Sequence, residues 1–413
     1  MLKDRNITVL GAGLAGLALA RALALRGAAV TVLEQAAAIR EVGAGLQISP
    51  NGARVLDALG LGRAAAEAGQ AAEAIELCDG ETGRRVVRLD LDPGGPEPDG
   101  FEPDGPHAAG TRAAGPRAVG RGPFRFFHRA DLIGVLAEGA RSAGVQIRLL
   151  QKVREVRLGA HPPRLVTETG PEIETDLLLG ADGLHSRVRA ALNGAAAPFF
   201  TGQVAWRAVI PADGPIDPVA RVYMGPGRHL VTYPLRGGAL RNIVAVEERR
   251  DWVEESWSLS DDPLALRIAF EKFLPEVRGW LDRVERPNLW GLFRHPVAER
   301  WHGQGAAILG DAAHPTLPFL AQGANMALED AWVLARALES GDAAEAALAA
   351  YAAARIGRTR RIVDAATGNA RNYHLSGITR DIAHLGLRMA SRFAPGRLIG
   401  RYDWIYRHDV TEG

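Results

Sequence analysis

Three short segments hold residue types that can grip a phosphorylated, hydroxyl-rich ligand. The first is Gly11-Ala12-Gly13-Leu14-Ala15-Gly16, with Glu34 lying 18 residues beyond Gly16 and Gln35 beside it. The second is Gly180-Ala181-Asp182-Gly183, and the third is Gly310-Asp311-Ala312-Ala313-His314-Pro315. In the first, Gly11 permits a tight turn, Gly13 lets the backbone approach a pyrophosphate, and Gly16 lets a helix pack closely on a strand. Free N–H groups and the macrodipole at the start of that helix favour the phosphate charge. Glu34 is spaced to accept hydrogen bonds from a ribose diol, which favours FAD or NAD over NADP.

The elements needed to position these residues are legible around them. Ile7-Thr8-Val9-Leu10 is a short apolar run of the kind that forms a buried parallel strand. Residues 17–26 read as an Ala/Leu-rich helix closed by Gly27, and residues 29–33 as a second strand. The second and third segments each follow another buried apolar strand, at residues 175–180 and 306–310. Residues 43–52 read as a glycine-rich loop before a helix at 53–59, and Phe124-Arg125-Phe126-Phe127 as a strand before a helix opened by Arg129. Residues 201–249 alternate between Gly/Pro turns, which predicts an antiparallel sheet. Long helical patterns cover 323–338 and 342–366, and an arginine-rich helical region covers 381–408. Residues 91–122 are rich in proline and glycine and read as a surface insertion.

Composition narrows the field. The 413 residues are 47% hydrophobic and 23% charged, enough to bury a large core. Lys+Arg 49 against Asp+Glu 48 gives no bulk electrostatic case for a nucleic-acid or anionic-membrane partner. Arginine outnumbers lysine 46 to 3, a compositional bias without a functional reading. The lone cysteine, Cys78, excludes an intramolecular disulfide framework, and no His/Cys cluster suggests a metal. No run is long and apolar enough for a membrane helix, and residues 1–6 do not read as a signal peptide, so a cytoplasmic location is expected.

The three strand-end segments, in this order and together with Arg129-Ala130-Asp131-Leu132, resemble the class A flavoprotein monooxygenases, the aromatic hydroxylases of the para-hydroxybenzoate hydroxylase fold. The run from Gly310 to Pro315 through Ala321-Gln322-Gly323-Ala324-Asn325, and the Asp403-Trp404-Ile405-Tyr406 ending, are most similar to the salicylate and 3-hydroxybenzoate hydroxylase group. The resemblance implies an α/β protein: a Rossmann-like FAD-binding domain, a mainly antiparallel substrate domain and C-terminal helices. The expected segmentation is 1–74, 124–182 and 288–353 for FAD, 75–90 and 183–287 for substrate, 91–123 as insertion and 354–413 as helical cover.

It also implies roles. FAD would be held by Gly11, Gly13, Leu14, Ala15, Gly16, Glu34, Gln35, Arg40, Gly45, Arg129, Asp182, Gly183, Gly310, Asp311, Pro318, Gly323, Ala324 and Asn325. Asp311 would bind the ribityl hydroxyls, and the positive end of the helix beginning at Gly323 would face the isoalloxazine. NADH or NADPH would bind transiently and O2 would react with the reduced flavin, giving a flavin hydroperoxide that hydroxylates a small aromatic substrate. Such a pocket must exclude water and help ionise a phenol. Gln47, Trp206, Arg207, Thr232 and Phe319 are the candidates for binding substrate, with His229, Tyr233 and Pro318 for catalysis. A homodimer is compatible with the family.

The resemblance departs at two places. The 3-hydroxybenzoate type carries a glutamine where this chain has Pro318 and a histidine near Thr232, which makes the implied pocket less polar. Blander readings of single residues also stay open: Asp182 as a turn residue, Asp311 as a helix cap, His314 as part of a structural loop, Arg207 as a salt-bridged strand residue. So do two other functions, a flavin oxidase or dehydrogenase of the same fold and a non-catalytic NAD(H) sensor.

Overall fold

The computed structural model describes the chain apart from residues 1, 3–4, 40–43, 92–121, 160–161, 196, 250–260, 341–342, 394–399 and 413. The proline-rich insertion at 92–121 and Arg40 therefore lie outside the described residues.

A six-stranded sheet runs in the order His302–Gly303, Ala306–Ile308, Leu177–Gly180, Asn6–Leu10, Ala29–Leu33, Gln146–Arg148. All pairs are parallel except the first. Leu10 is in register with Gly180, and Gly180 with Ile308, so three strands end at one edge. The three glycine-bearing segments, far apart in sequence, leave the sheet side by side there. That carboxyl edge is where open parallel sheets bind ligands.

The helix Leu14–Ala24 is buried on most of its circumference and packs between the helices Arg129–Ser142 and Gly323–Glu339. A helix that is apolar nearly all round is stable only when enclosed in this way. Two glycines make the approach possible. Gly11 has φ +104°, and a Cβ there would collide with the Ala181 carbonyl, while a Cβ on Gly16 would collide with the Gly11 carbonyl. Over Gly13 there is nothing within 4 Å, so its backbone faces open space.

A seven-stranded sheet runs in the order Asn288–Arg294, Phe199–Pro211, Leu240–Glu248, Arg228–Leu235, Val219–Gly225, Ala74–Asp79, Arg85–Asp90. It is antiparallel apart from the pair Val219–Gly225 with Ala74–Asp79. One face carries the short helices Pro263–Ala269 and Pro275–Asp282; Trp280 of the second, with Phe270 and Phe273 from the connection between them, encloses Trp206, Tyr223 and the buried Cys78. The other face looks toward the six-stranded sheet. The segment expected to begin at 288 opens on a strand of this sheet. Asn288–Arg294 pairs with Phe199–Pro211 as the edge strand of this sheet, because its apolar residues continue that core rather than the parallel one.

The first of the C-terminal helices runs beyond its expected end, and the second begins before its expected start. One spans Ala344–Tyr373, packs along Gly323–Glu339 and passes the short turn Pro318–Leu320. The next, Gly377–Phe393, lies against Arg85–Asp90.

Candidate active site

One continuous cavity of about 1080 Å³ joins the carboxyl edge of the parallel sheet to the inner face of the antiparallel sheet. That is at or above the upper end of the roughly 300–1,000 Å³ typical of ligand pockets. Gly11, Gly13, Leu14, Ala15, Glu34, Gln35, Gly45, Arg129, Asp182, Gly183, Asp311, Pro318, Gly323 and Ala324 line it, as do Gln47, Arg207, His229, Tyr233 and Phe319. Gly16, Gly310 and Asn325 stand behind the wall and act on its backbone instead. Asn325 accepts from Ser49 N at 3.0 Å and donates to the Gln47 and Ala321 carbonyls at 3.1 and 2.8 Å. It thereby ties the loop before its own helix to the loop after the second strand.

The carboxylates divide into two kinds. Glu34 accepts from the backbone N–H of Ala12 and of Ala36, both at 2.8 Å, and so braces the first turn. Asp182 accepts from Ser186 Oγ at 2.5 Å and Arg187 N at 2.7 Å, at the start of the helix Arg187–Asn193. Burial pushes its pKa up against those hydrogen bonds. The turn reading of Asp182 is thus present in the structure together with its place on the cavity. Asp311 instead points its charge toward Arg129, whose guanidinium is pulled down by burial and supported by Asp311.

Beneath this wall lies a buried ionic cluster that sequence reasoning missed. Glu329 and Asp330, both fully buried, meet Arg355 at 2.7 Å each, and Arg358 meets Glu329 at 2.8 Å. Burial works to raise both carboxyls, but the arginines, with His314 at Asp330, hold each at about 2. Asp330 also accepts from Gly310 N at 3.0 Å, and His314 contacts the same carboxylate. His314 is therefore part of the scaffold that fixes the Gly310 turn. The available signal was two consecutive acids inside an apolar helix pattern, matched by two arginines one turn apart.

On the antiparallel sheet, register decides which candidates face the cavity. Successive side chains of a strand alternate between faces. Arg207, Val244 and Val231 form one row across three strands, and His229 and Tyr233 flank Val231 on the same face. Trp206 and Thr232, expected in the pocket, are each one residue out of phase and lie on the opposite face. The Trp206 indole N–H donates to Asp261 at 2.7 Å and its ring meets Phe270 edge-on, whereas Thr232 Oγ1 accepts from Arg241 at 3.4 Å.

Arg207 lies 3.8 Å above the Trp290 ring, and its Nε has no hydrogen-bond partner. Burial, with Arg129 adding to it and Tyr233 opposing, pulls its pKa down to about 9. Tyr233 stacks on Phe126 at 5.0 Å, and burial pushes its phenol upward. A Cβ on Gly45 would lie 2.6 Å from the Tyr233 ring, so glycine there makes room for the tyrosine. His229 is 2% exposed, with Phe319 and Tyr373 rings at 5.6 and 5.2 Å, and its Nδ1 lies 2.7 Å from His374 Nε2. Trp290 lines the cavity and His374 stands behind His229, and the sequence singled out neither. Among the described residues no group of His, Cys, Asp and Glu could hold a metal, and no helix is long and apolar enough to cross a membrane.

The sequence profile of a family described as an FAD binding domain matches residues 4–366. A 3-hydroxybenzoate 6-hydroxylase from Klebsiella oxytoca is 34% identical over 395 residues, covering 93% of each chain. A 3-amino-4-hydroxybenzoate 2-monooxygenase from Streptomyces cremeus is 34% identical over 90% of this chain and 89% of the relative. Among solved structures, a salicylate hydroxylase substrate complex aligns with TM-score 0.78 and 23% identity over 99% of this chain and 96% of the other. Klebsiella pneumoniae HpxO complexed with FAD and uric acid aligns with TM-score 0.81 and 22% identity over 98% and 97%. The fold these share is the one described above, and with the profile and the two relatives it closes the question of descent: this chain belongs to the class A FAD-dependent aromatic hydroxylases.

Proposed function

We propose that this chain hydroxylates a small aromatic acid bearing a ring hydroxyl, with NADH or NADPH as reductant and O2 as oxidant. The observation that carries the reading is Arg207: a half-buried cation whose buried Nε has no partner, on the same cavity as the dinucleotide turn. Even at about 9 its pKa leaves it charged at neutral pH, and a carboxylate would satisfy both the charge and the donor.

The site fits FAD by its own features. Open space over Gly13, the N-terminus of the helix Leu14–Ala24 and the half-buried Arg129 suit phosphate groups. Asp311 suits ribityl hydroxyls, and the helix Gly323–Glu339 begins on the cavity without an acid in its first turn. When bound, FAD supplies the electron transfer and oxygen activation. The protein's part is to orient and to dry. Arg207 fixes the acid group, Tyr233 and His229 offer polar contacts to the ring substituents, and Phe319, Trp290, Val231 and Val244 exclude water. We assign cofactor binding to the six-stranded unit and substrate binding to the seven-stranded one.

The test is NADH and NADPH oxidation by the FAD-loaded protein with 3-hydroxybenzoate, salicylate and 3-amino-4-hydroxybenzoate, analysing product in each. Reductant consumption matched by hydroxylated product is the expected outcome. Consumption matched only by hydrogen peroxide with every compound would make the chain an oxidase.

A further inference from the structure

The cavity does not end where its polar side chains do. Arg207 stands on the strand Phe199–Pro211, and His229 and Tyr233 on Arg228–Leu235, the second and fourth strands of the seven-stranded sheet. The cavity continues over the fifth, sixth and seventh, Val219–Gly225, Ala74–Asp79 and Arg85–Asp90. Register carries the row of Arg207, Val244 and Val231 on to Val222 and Leu77. A neighbouring row runs through Ala220, Ile75 and Leu89. Three strand spacings of about 4.8 Å take this arm roughly 14 Å beyond the strand of His229 and Tyr233.

The arm is apolar on both sides. From the helix Gly377–Phe393, Leu387 packs on the cluster that holds Val222 and Met224, and Ala383 lines the same cavity. Ile75, Leu77, Leu89 and Leu387 are only half-buried, so apolar surface is left facing the space between sheet and helix. Asp79, next after Leu77 on this face, is engaged in its own turn, where it accepts from Thr82 N at 2.9 Å and Thr82 Oγ1 at 2.8 Å. His384, 3.9 Å from Asp79, is the polar group at the margin of the arm. Arg207 and Val231 are two strand spacings apart, roughly 10 Å, a distance that one ring and its carboxylate already fill. A one-ring acid held at Arg207 therefore leaves the arm to water, and water against apolar walls is what an apolar group would displace at a gain.

We propose that the aromatic acid taken by this chain carries an apolar substituent, alkyl or aryl, on the ring position opposite its carboxylate, and that the arm seats it. The inference rests on the aromatic-acid reading above and adds a second recognition element to it. Arg207 and Leu77 lie at the two ends of one row, so the carboxylate and the substituent together fix the direction of the ring across the sheet. Leu77 from the sheet and Leu387 from the helix are the residues that set how long a substituent fits.

The test reads binding and needs no turnover. The flavin absorbance of the FAD-loaded protein is titrated with 3-hydroxybenzoate and with its 4-ethyl, 4-butyl and 4-hexyl derivatives. Each added methylene should tighten binding about 2- to 4-fold, the upper figure being the ~0.8 kcal/mol of a fully buried CH₂. Leu77→Phe and Leu387→Phe fill the arm from its two sides. Either variant, on protein that retains FAD, should flatten the series to the affinity of its shortest member. Affinity that stays flat or falls with chain length in the wild type would overturn the proposal and leave the arm a passage to solvent. Hexanol bound beside 3-hydroxybenzoate would also overturn it, by giving the arm to a separate ligand. A hexylphenol that binds as well as the hexyl acid would fail the aromatic-acid reading while upholding the arm. Wild-type protein that binds none of these acids removes that reading and this inference with it.

Discussion

The two halves of the cavity are built by opposite means. The half we assign to the cofactor is made largely of backbone: glycines, helix N-termini and peptide N–H groups gathered where three parallel strands end together. The substrate half is made of side chains standing on one face of an antiparallel sheet, where Arg207, His229 and Tyr233 interrupt an apolar surface. A backbone site fails when a side chain is added to it. A side-chain site fails when one is removed, and tolerates change one residue away.

That contrast orders its own tests. Gly16→Val should have the largest effect, because the added group collides with the Gly11 carbonyl and displaces the turn. A flavin-fluorescence titration should detect no FAD binding, and retained affinity would break the assignment of this turn. Arg207→Met should leave FAD affinity intact and weaken aromatic-acid binding roughly 10- to 100-fold, the loss of about 1.5–3 kcal/mol expected for a charged hydrogen bond. The sign of its pH dependence follows from the depressed pKa. Acid binding is complete where the guanidinium is protonated and fades as pH rises through about 9.

Asp182→Ala should act mainly on stability, lowering it by about 1–3 kcal/mol through the lost hydrogen bonds to Arg187 N and to the capping Ser186. Calorimetry against an FAD titration separates the two effects, and a larger loss in FAD affinity would return Asp182 to the cofactor. Thr232→Val should do least, leaving turnover and FAD affinity near wild type, since its side chain lies on the far face of the sheet. A large effect there would mean that strand parity does not govern this pocket.

Legibility followed the same division. The dinucleotide turn could be read from sequence because a backbone site constrains residue type at fixed spacing, and at Gly11 and Gly16 glycine is the only residue that fits. The substrate face could be read only to within a residue. Trp206 beside Arg207, and Thr232 beside Tyr233, are equally apt in composition, and only the register tells which of each pair looks inward. His374 escaped notice because its role depends on a contact with His229, 145 residues away, that no local pattern encodes. The pairing of Arg355 and Arg358 with Glu329 and Asp330 left a local trace, in the adjacent acids and the arginines one turn apart, but not the contact itself.

The lock formed by Asn325 has a consequence in time. Its partner Ser49 is made 276 residues earlier, and the first strand waits for Leu177 before it gains its second neighbour. At about 5–20 residues per second, the N-terminal turn spends on the order of tens of seconds on the ribosome with one wall of its cavity still unmade. Cofactor loading in this chain is thus an event of the completed polypeptide. An N-terminal fragment stopped before the helix Gly323–Glu339 carries the glycine signature without a place to put the flavin.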